Sequence, residues 1–233
     1  MQTEPARGLF ITGTNTEVGK TYVAAMIARA AVAAGHRVGV YKPAASGCRR
    51  EGDELIADDA VTLWEAAGRP GRLEDVSPQR YVAPLAPHLA ARAEGKEIDP
   101  ERLRTGLEAW RGGFDLVIVE GAGGLMSPMG DDDYNATLAE EFGYPLIVVA
   151  PNELGTINQT LQTLITAVAF GDGLEVAGVV LNGLRPDASD ESQASNRTEI
   201  EQRCVPPILA SVDYGATEFE APVDWLALAG RPT

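Results

Sequence analysis

The stretch that decides the fold is Gly13-Thr14-Asn15-Thr16-Glu17-Val18-Gly19-Lys20-Thr21. It follows the apolar run 9–11 and opens an alanine-rich segment, 22–34, whose composition predicts a helix. Strand, glycine-bearing turn, Gly-Lys-Thr and helix is the grammar of a phosphate-binding loop. Backbone N–H groups of the turn and the positive end of the helix dipole converge there on a phosphate. Gly19 allows close backbone approach, Lys20 adds a point charge, and the Thr21 hydroxyl can sit on Mg²⁺. The loop is a variant: the usual first glycine would fall at Thr14, and here it stands one position earlier, at Gly13.

Outward from the loop, strands alternate with helices. Apolar runs predict strands at 9–12, 37–41, 116–119, 146–150, 176–181 and 208–212. Helices are expected at 21–34, 58–67, 87–93, 99–111, 135–142 and 156–170, with another ending near residue 203. Asp99 reads as an N-cap with Pro100 at the first helical position. Residues 68–87, rich in proline and glycine, read as irregular structure or a lid. Asp131-Asp132-Asp133 reads as a solvated loop, and the polar stretch 185–196 precedes the last long helix. The tail past Gly215 carries no pattern. Continuous apolar runs such as 116–119 belong in the middle of a parallel sheet. The expected fold is a single α/β domain over 1–233, P-loop NTPase-like, a mostly parallel sheet with helices on both faces.

In such sheets ligands bind beyond the carboxyl ends of the strands. That rule selects the phosphate loop, Lys42 after the second strand, Glu120 after the third, Gly155 after the fourth and Asn182 after the fifth. Glu120 can hold a metal opposite Thr21. Gly121, Gly123 and Gly124 deny side-chain bulk beside it. Lys42 precedes Pro43, which biases it to extended backbone at the strand end. Asp59, taken alone, is a helix-start charge.

Composition excludes several classes. With 34 acidic against 19 basic residues the net charge is −15. A nucleic-acid surface or an anionic membrane face would need basic patches instead. Two cysteines, Cys48 and Cys204, offer neither a disulfide framework nor metal spacing. With no signal pattern at the start and no apolar run of membrane-spanning length, a cytoplasmic protein is expected.

Five blocks in order resemble the dethiobiotin synthetase family, over nearly the whole chain. They are Gly13 to Thr21 (G-T-x-T-x-V-G-K-T), Tyr41-Lys42-Pro43-Ala44-Ala45-Ser46-Gly47, Ala86-Pro87-His88, Glu120-Gly121-Ala122-Gly123-Gly124 and Leu154-Gly155-Thr156-Ile157-Asn158. The resemblance implies a ligase that takes 7,8-diaminopelargonate, CO₂ and ATP. An amine becomes a carbamate, the carbamate oxygen attacks the γ-phosphate, and the second amine closes the ureido ring of dethiobiotin and expels phosphate. It implies that Lys20 and the backbone of Glu17, Val18, Gly19, Thr21 and Tyr22 hold the phosphates, with Gly13, Gly121, Ala122 and Gly123 alongside. Mg²⁺ would sit among Thr21, Asp59 and Glu120, and Lys42 and Lys20 would be the catalytic lysines. Thr16 and Ser46 would contact substrate. Asn182 would read adenine, with Gly183, Asp213 and Tyr214 at the same rim. In the family the segment Gly155, Thr156, Ile157 and Asn158 belongs to the partner of a homodimer and captures the substrate carboxylate. The chain departs from the family at Ala210-Ser211-Val212-Asp213, where Gly-x-Ile-Pro is frequent, and at Asn196, where some members carry a tyrosine. His88 reads as structural. The competing reading is a partitioning or septum-placing ATPase switch of the same broad fold. Those carry an additional lysine early in the loop, and none precedes Lys20 here.

Overall fold

The computed structural model describes residues 6–186 and 190–230. In chain order the elements are β1 (Arg7–Gly13), α1 (Lys20–Ala33), β2 (Val38–Tyr41), β3 (Ala44–Ala45), β4 (Arg49–Glu51), β5 (Glu54–Ile56), α2 (Asp58–Ala66), α3 (Leu73–Val76), β6 (Gln79–Arg80), α4 (Pro87–Ala93), α5 (Pro100–Thr105), α6 (Glu108–Arg111), β7 (Leu116–Gly124), α7 (Asn135–Phe142), β8 (Leu146–Pro151), α8 (Thr156–Ala169), β9 (Val176–Asn182), α9 (Gln193–Glu201), β10 (Ile208–Val212) and α10 (Trp225–Leu228).

The six runs read as strands form one six-stranded sheet, ordered β10-β9-β8-β1-β7-β2. Every neighbouring pair in it is parallel. The apolar runs dictate this arrangement. Leu9, Phe10 and Ile11 of β1 and the β7 run from Leu116 to Val119 have no exposed surface. Strands buried on both faces need helices over each. From β1 the chain steps one way to β2, and from β7 onward it steps the other way to β10. Right-handed crossovers therefore put α1 on one face and α7, α8 and α9 on the other. The crossover from β1 runs opposite to those from its neighbours β7 and β8, so the change of direction falls at β1, where such sheets bind ligands. No helix among the described residues is long and apolar enough to cross a membrane.

Three expectations change. The helix read over 99–111 is two short ones, α5 and α6. Asp99 does cap the first, accepting from Arg102 N at 2.9 Å. The break comes from Tyr41, whose hydroxyl lies 2.9 Å from the Leu103 carbonyl and 3.0 Å from that of Arg102. Leu107 N–H turns instead to Arg104 O, at 3.2 Å. Gly106 makes room for this: a Cβ there would stand 2.4 Å from Tyr41 Oη. Second, residues 68–87 are partly regular, holding α3 and β6, and β6 pairs with β3 beside Lys42. Third, the acidic loop is not simply solvated. Asp131 pairs with Arg92 at 2.5 Å, and Asp133, largely buried, pairs with Arg104 at 2.7 Å. Of the polar stretch 185–196, residues 187–189 lie outside the described residues, as do 231–233 of the tail. The rest of the tail packs: Trp225 is buried with its ring 5.0 Å from Phe219, and Gly230 bridges Gly8 on β1.

Candidate active site

The phosphate loop owes its shape to close packing at its two glycines. At Gly13 a Cβ would meet Asn15 O and Val18 Cγ2 at 2.7 Å. Gly19 has φ +86°, and a Cβ there would lie 2.1 Å from Asn182 Nδ2. That amide donates to Val18 O at 3.1 Å, so the end of β9 is pinned to the loop. Glu17 is also left-handed, at φ 60°. Lys20 is buried, and its ammonium donates to Asn15 O at 3.1 Å. Burial, helped by the neighbouring Lys42 ammonium, lowers its pKa to about 8 against the attraction of Glu120 and Asp59.

Across from the loop stands a second charged group, built from three elements. Lys42 lies just past β2 and is 4% exposed; Glu120 lies within β7 and is 1% exposed; Asp59 starts α2. Lys42 Nζ is 2.5 Å from Glu120 Oε1 and 2.9 Å from Asp59 Oδ2. Thr21 Oγ1 donates to the same Glu120 Oε1 at 2.9 Å. Burial by itself would depress the Lys42 ammonium, but the Glu120 and Asp59 charges outweigh it and raise its pKa. Asp59 shows the mirror image: burial pushes its carboxyl up, and Lys42 overrides that and holds it below the usual range. Glu120 Oε2 is buried with no hydrogen-bond partner. Thr21, Asp59 and Glu120 thus bring oxygen atoms together beside the Lys42 ammonium, and one oxygen of the buried Glu120 carboxylate is left unsatisfied. That suits a hard cation that takes few protein ligands and keeps water and phosphate for the rest. Among the described residues no group of three or more His, Cys, Asp or Glu side chains is placed to hold a metal.

Both groups open on one cavity of about 700 Å³. Of the residues singled out from sequence, Thr16, Glu17, Gly19, Lys20, Thr21, Tyr22, Lys42, Ser46, Asp59, Glu120, Ala122 and Gly123 line it. Asn182, Gly183, Asp213 and Tyr214 lie instead at the far rim of the loop. Gly183 N–H bonds Val212 O at 2.7 Å, and the Tyr22 hydroxyl reaches Ala216 O. Gly155, Thr156, Ile157 and Asn158 do not line the cavity of their own chain. They open α8, with Gly155 at φ +100° and Asn158 exposed.

Sequence reasoning missed several contributors. Asn135, fully buried at the start of α7, donates to Ala122 O and Gly124 O at 2.7 Å and accepts from Ala122 N at 3.1 Å. It fixes the glycine run, where a Cβ on Gly121 would lie 2.5 Å from its Oδ1. Ser127 Oγ accepts from Gly124 N at 2.8 Å. The only sequence signal at Asn135 was its fitness to begin a helix. An apolar wall, residues 84–87, also lines the cavity; of these, only Ala86 and Pro87 fell in a family block.

The chain matches the model of the AAA domain family over residues 7–217. Similar relatives are named ATP-dependent dethiobiotin synthetase BioD. The one from Rhodopirellula baltica is 43% identical over 87% of this chain and 82% of its own. That from Aromatoleum aromaticum is 39% identical over 92% and 93%, and that from Bacillus subtilis strain 168 is 37% identical over 87% and 85%. The chain belongs to the ATP-dependent dethiobiotin synthetase family. Solved structures add the wider fold. The signal recognition particle receptor FtsY from Elizabethkingia anophelis superposes with a TM-score of 0.58 at 13% identity, over 97% of this chain and 65% of that one. A ParA family ATPase from Chlorobium tepidum gives 0.53 at 18% identity, over 90% and 84%. At such identities the likeness shows the fold alone. The dethiobiotin synthetases, not these ATPases, are the relatives similar in sequence over most of the chain.

Proposed function

We propose that the chain, as a single cytoplasmic domain, converts 7,8-diaminopelargonate, CO₂ and ATP into dethiobiotin, ADP and phosphate. The observation that carries this reading is the buried Lys42 ammonium, held between Glu120 and Asp59 across one cavity from the phosphate loop. A nitrogen–carbon bond forms when one substrate amine takes up CO₂ and sheds a proton. The carbamate oxygen then bonds to the γ-phosphorus and ADP leaves. Finally the second amine attacks the carbamoyl carbon, the ring closes, and the carbon–oxygen bond breaks to release phosphate. Such chemistry asks the protein for positioning and charge neutralisation. Lys20 and the N–H groups of Glu17, Val18, Gly19, Thr21 and Tyr22 hold the phosphates. Lys42 faces the negative charge that builds on the carbamate and the transferring phosphoryl group. Thr16 and Ser46 contact the diamine end. Asn182, whose Oδ1 is buried and unpaired, reads the base, with Gly183, Asp213 and Tyr214 at its edge. Thr21, Asp59 and Glu120 would hold Mg²⁺, which when bound neutralises charge on the phosphate oxygens.

The substrate ends in a carboxylate, and the loop is already committed to phosphate. A second helix start, Gly155, Thr156, Ile157 and Asn158 of α8, supplies the second anion site, and it reaches the cavity of the partner in a homodimer. Support comes from the outward side of α8. Ile165 and Val168 of α8, three positions apart, are 67% and 73% exposed, and Leu154 just before the helix is 82% exposed. Phosphate release from ATP, with dethiobiotin followed by mass spectrometry, tests the reaction. Release should require both diaminopelargonate and bicarbonate. Fast hydrolysis that ignores both would place the chain with the ATPase switches.

A further inference from the structure

We infer that Asn196, with Asp190, is a positioning residue for the substrate carboxylate, acting by fixing the segment that presents the start of α8. The inference rests on the proposed capture of the carboxylate by this helix start.

Asn196 stands on the inner face of α9, one turn before Ile200, and is 1% exposed. An aliphatic side chain would fill such a position without leaving polar atoms to satisfy, whereas a buried amide costs free energy unless it is hydrogen-bonded. Its Nδ2 donates to Asn152 Oδ1 at 3.0 Å and to Glu153 O at 3.3 Å, with Ser192 Oγ at 3.4 Å. The Glu153 carbonyl can only accept, which fixes the orientation of the amide. Asp190 completes the hold: one carboxylate oxygen accepts from Leu154 N at 2.7 Å and the other from Ser192 N at 2.9 Å. The side chain and backbone of Ser192 and the backbone of Leu154 also hold the Asp190 carboxyl below its usual range.

Three successive residues, Asn152, Glu153 and Leu154, are therefore gripped from α9 and the turn before it. Leu154 and Gly155, between that grip and the buried Thr156, have little support of their own. Leu154 is 82% exposed, and a Cβ on Gly155, at φ +100°, would meet nothing within 4 Å. The grip is also referenced to the nucleotide side, because Asn152 N donates to Asn182 O at 2.8 Å and the Asn182 side chain holds Val18 of the phosphate loop. Asn196 thus sets where the first N–H groups of α8 stand relative to the rest of the protein. Directional bonds to a carboxylate depend on that placement, and contacts to the diamine end do not.

The test compares diaminopelargonate with 2,3-diaminooctane, the same diamine without the carboxylate, as substrates of the full-length protein. Asn196→Asp keeps the shape but replaces the donor with an acceptor facing the Glu153 carbonyl, which can only accept. Asp190→Ala changes an open surface position and serves if the first variant fails to fold. We expect either to lower kcat/KM for diaminopelargonate about tenfold, the scale of a lost hydrogen bond to a charged group. KM for ATP and kcat/KM for the diamine should stay within twofold. A variant that loses both substrates equally, or neither, overturns the inference. A wild-type protein that treats the two substrates alike instead overturns the carboxylate reading beneath it. One that forms no ureido product overturns the function itself.

Discussion

At the scale of single residues, Lys42 carries two roles that can be separated. In the proposed reaction it faces the reacting groups, and in the structure it neutralises Glu120 and Asp59, one of them fully buried. Lys42→Gln should lower kcat by about 10²–10³, the cost of one preorganised charge contact, while ATP binding survives. The same change leaves Glu120 without its ammonium, a situation that costs roughly 3–5 kcal/mol in a buried pair. Urea denaturation should show that loss, and adding Glu120→Gln should recover part of the stability but none of the turnover. Wild-type turnover in the single variant would return Lys42 to a structural role.

At the scale of elements, the interruption between α5 and α6 ties the edge strand β2 to the helical layer. The hydroxyl of Tyr41, the last residue of β2, bonds the Leu103 carbonyl that a continuing helix would have used for Leu107 N–H, and Gly106 yields the space. Gly106→Ala forces a methyl group toward Tyr41 Oη and should destabilise the protein by about 1–3 kcal/mol. Because Lys42 follows Tyr41 directly, kcat should fall too. Tyr41→Phe removes the nearest of the three crowding atoms, leaving two ring carbons at 2.9 Å, so the double variant should be more stable than the two single effects predict but not fully restored. Strict additivity in chemical denaturation would show that the break has another cause.

At the scale of the whole molecule, the proposed reading takes the second anion site from another copy, since no residue of α8 lines the cavity of its own chain. Inactive Lys42→Gln chains and inactive Gly155→Val chains should then restore one another. After subunit exchange at equal amounts, half of the dimers are mixed and each has one intact site. Activity should recover to about a quarter of wild type. Mixtures shown to exchange subunits that stay as inactive as their parents would exclude a shared site.

The sequence by itself determined the sheet and the phosphate loop. Both rest on local chemistry: runs such as Leu116 to Val119 are apolar throughout, and glycine at position 19 permits the left-handed turn before a helix. The strand-end rule brought Lys42 and Glu120 under suspicion, and the family resemblance added Asp59. Only the tertiary structure decided how these residues meet. Lys42 and Glu120 are 78 positions apart and share a hydrogen bond because β2 and β7 are neighbours in the sheet. Asn135 reads as a helix start and in fact grips the glycine run. Asn196 falls in the polar stretch read as preceding the last long helix, and it lies within α9, buried against the segment before α8. Residues 99–111 carry the signals of one helix and form two. Each difference has the same source: a side chain from a distant element supplies or removes a hydrogen bond, and no local pattern records its arrival.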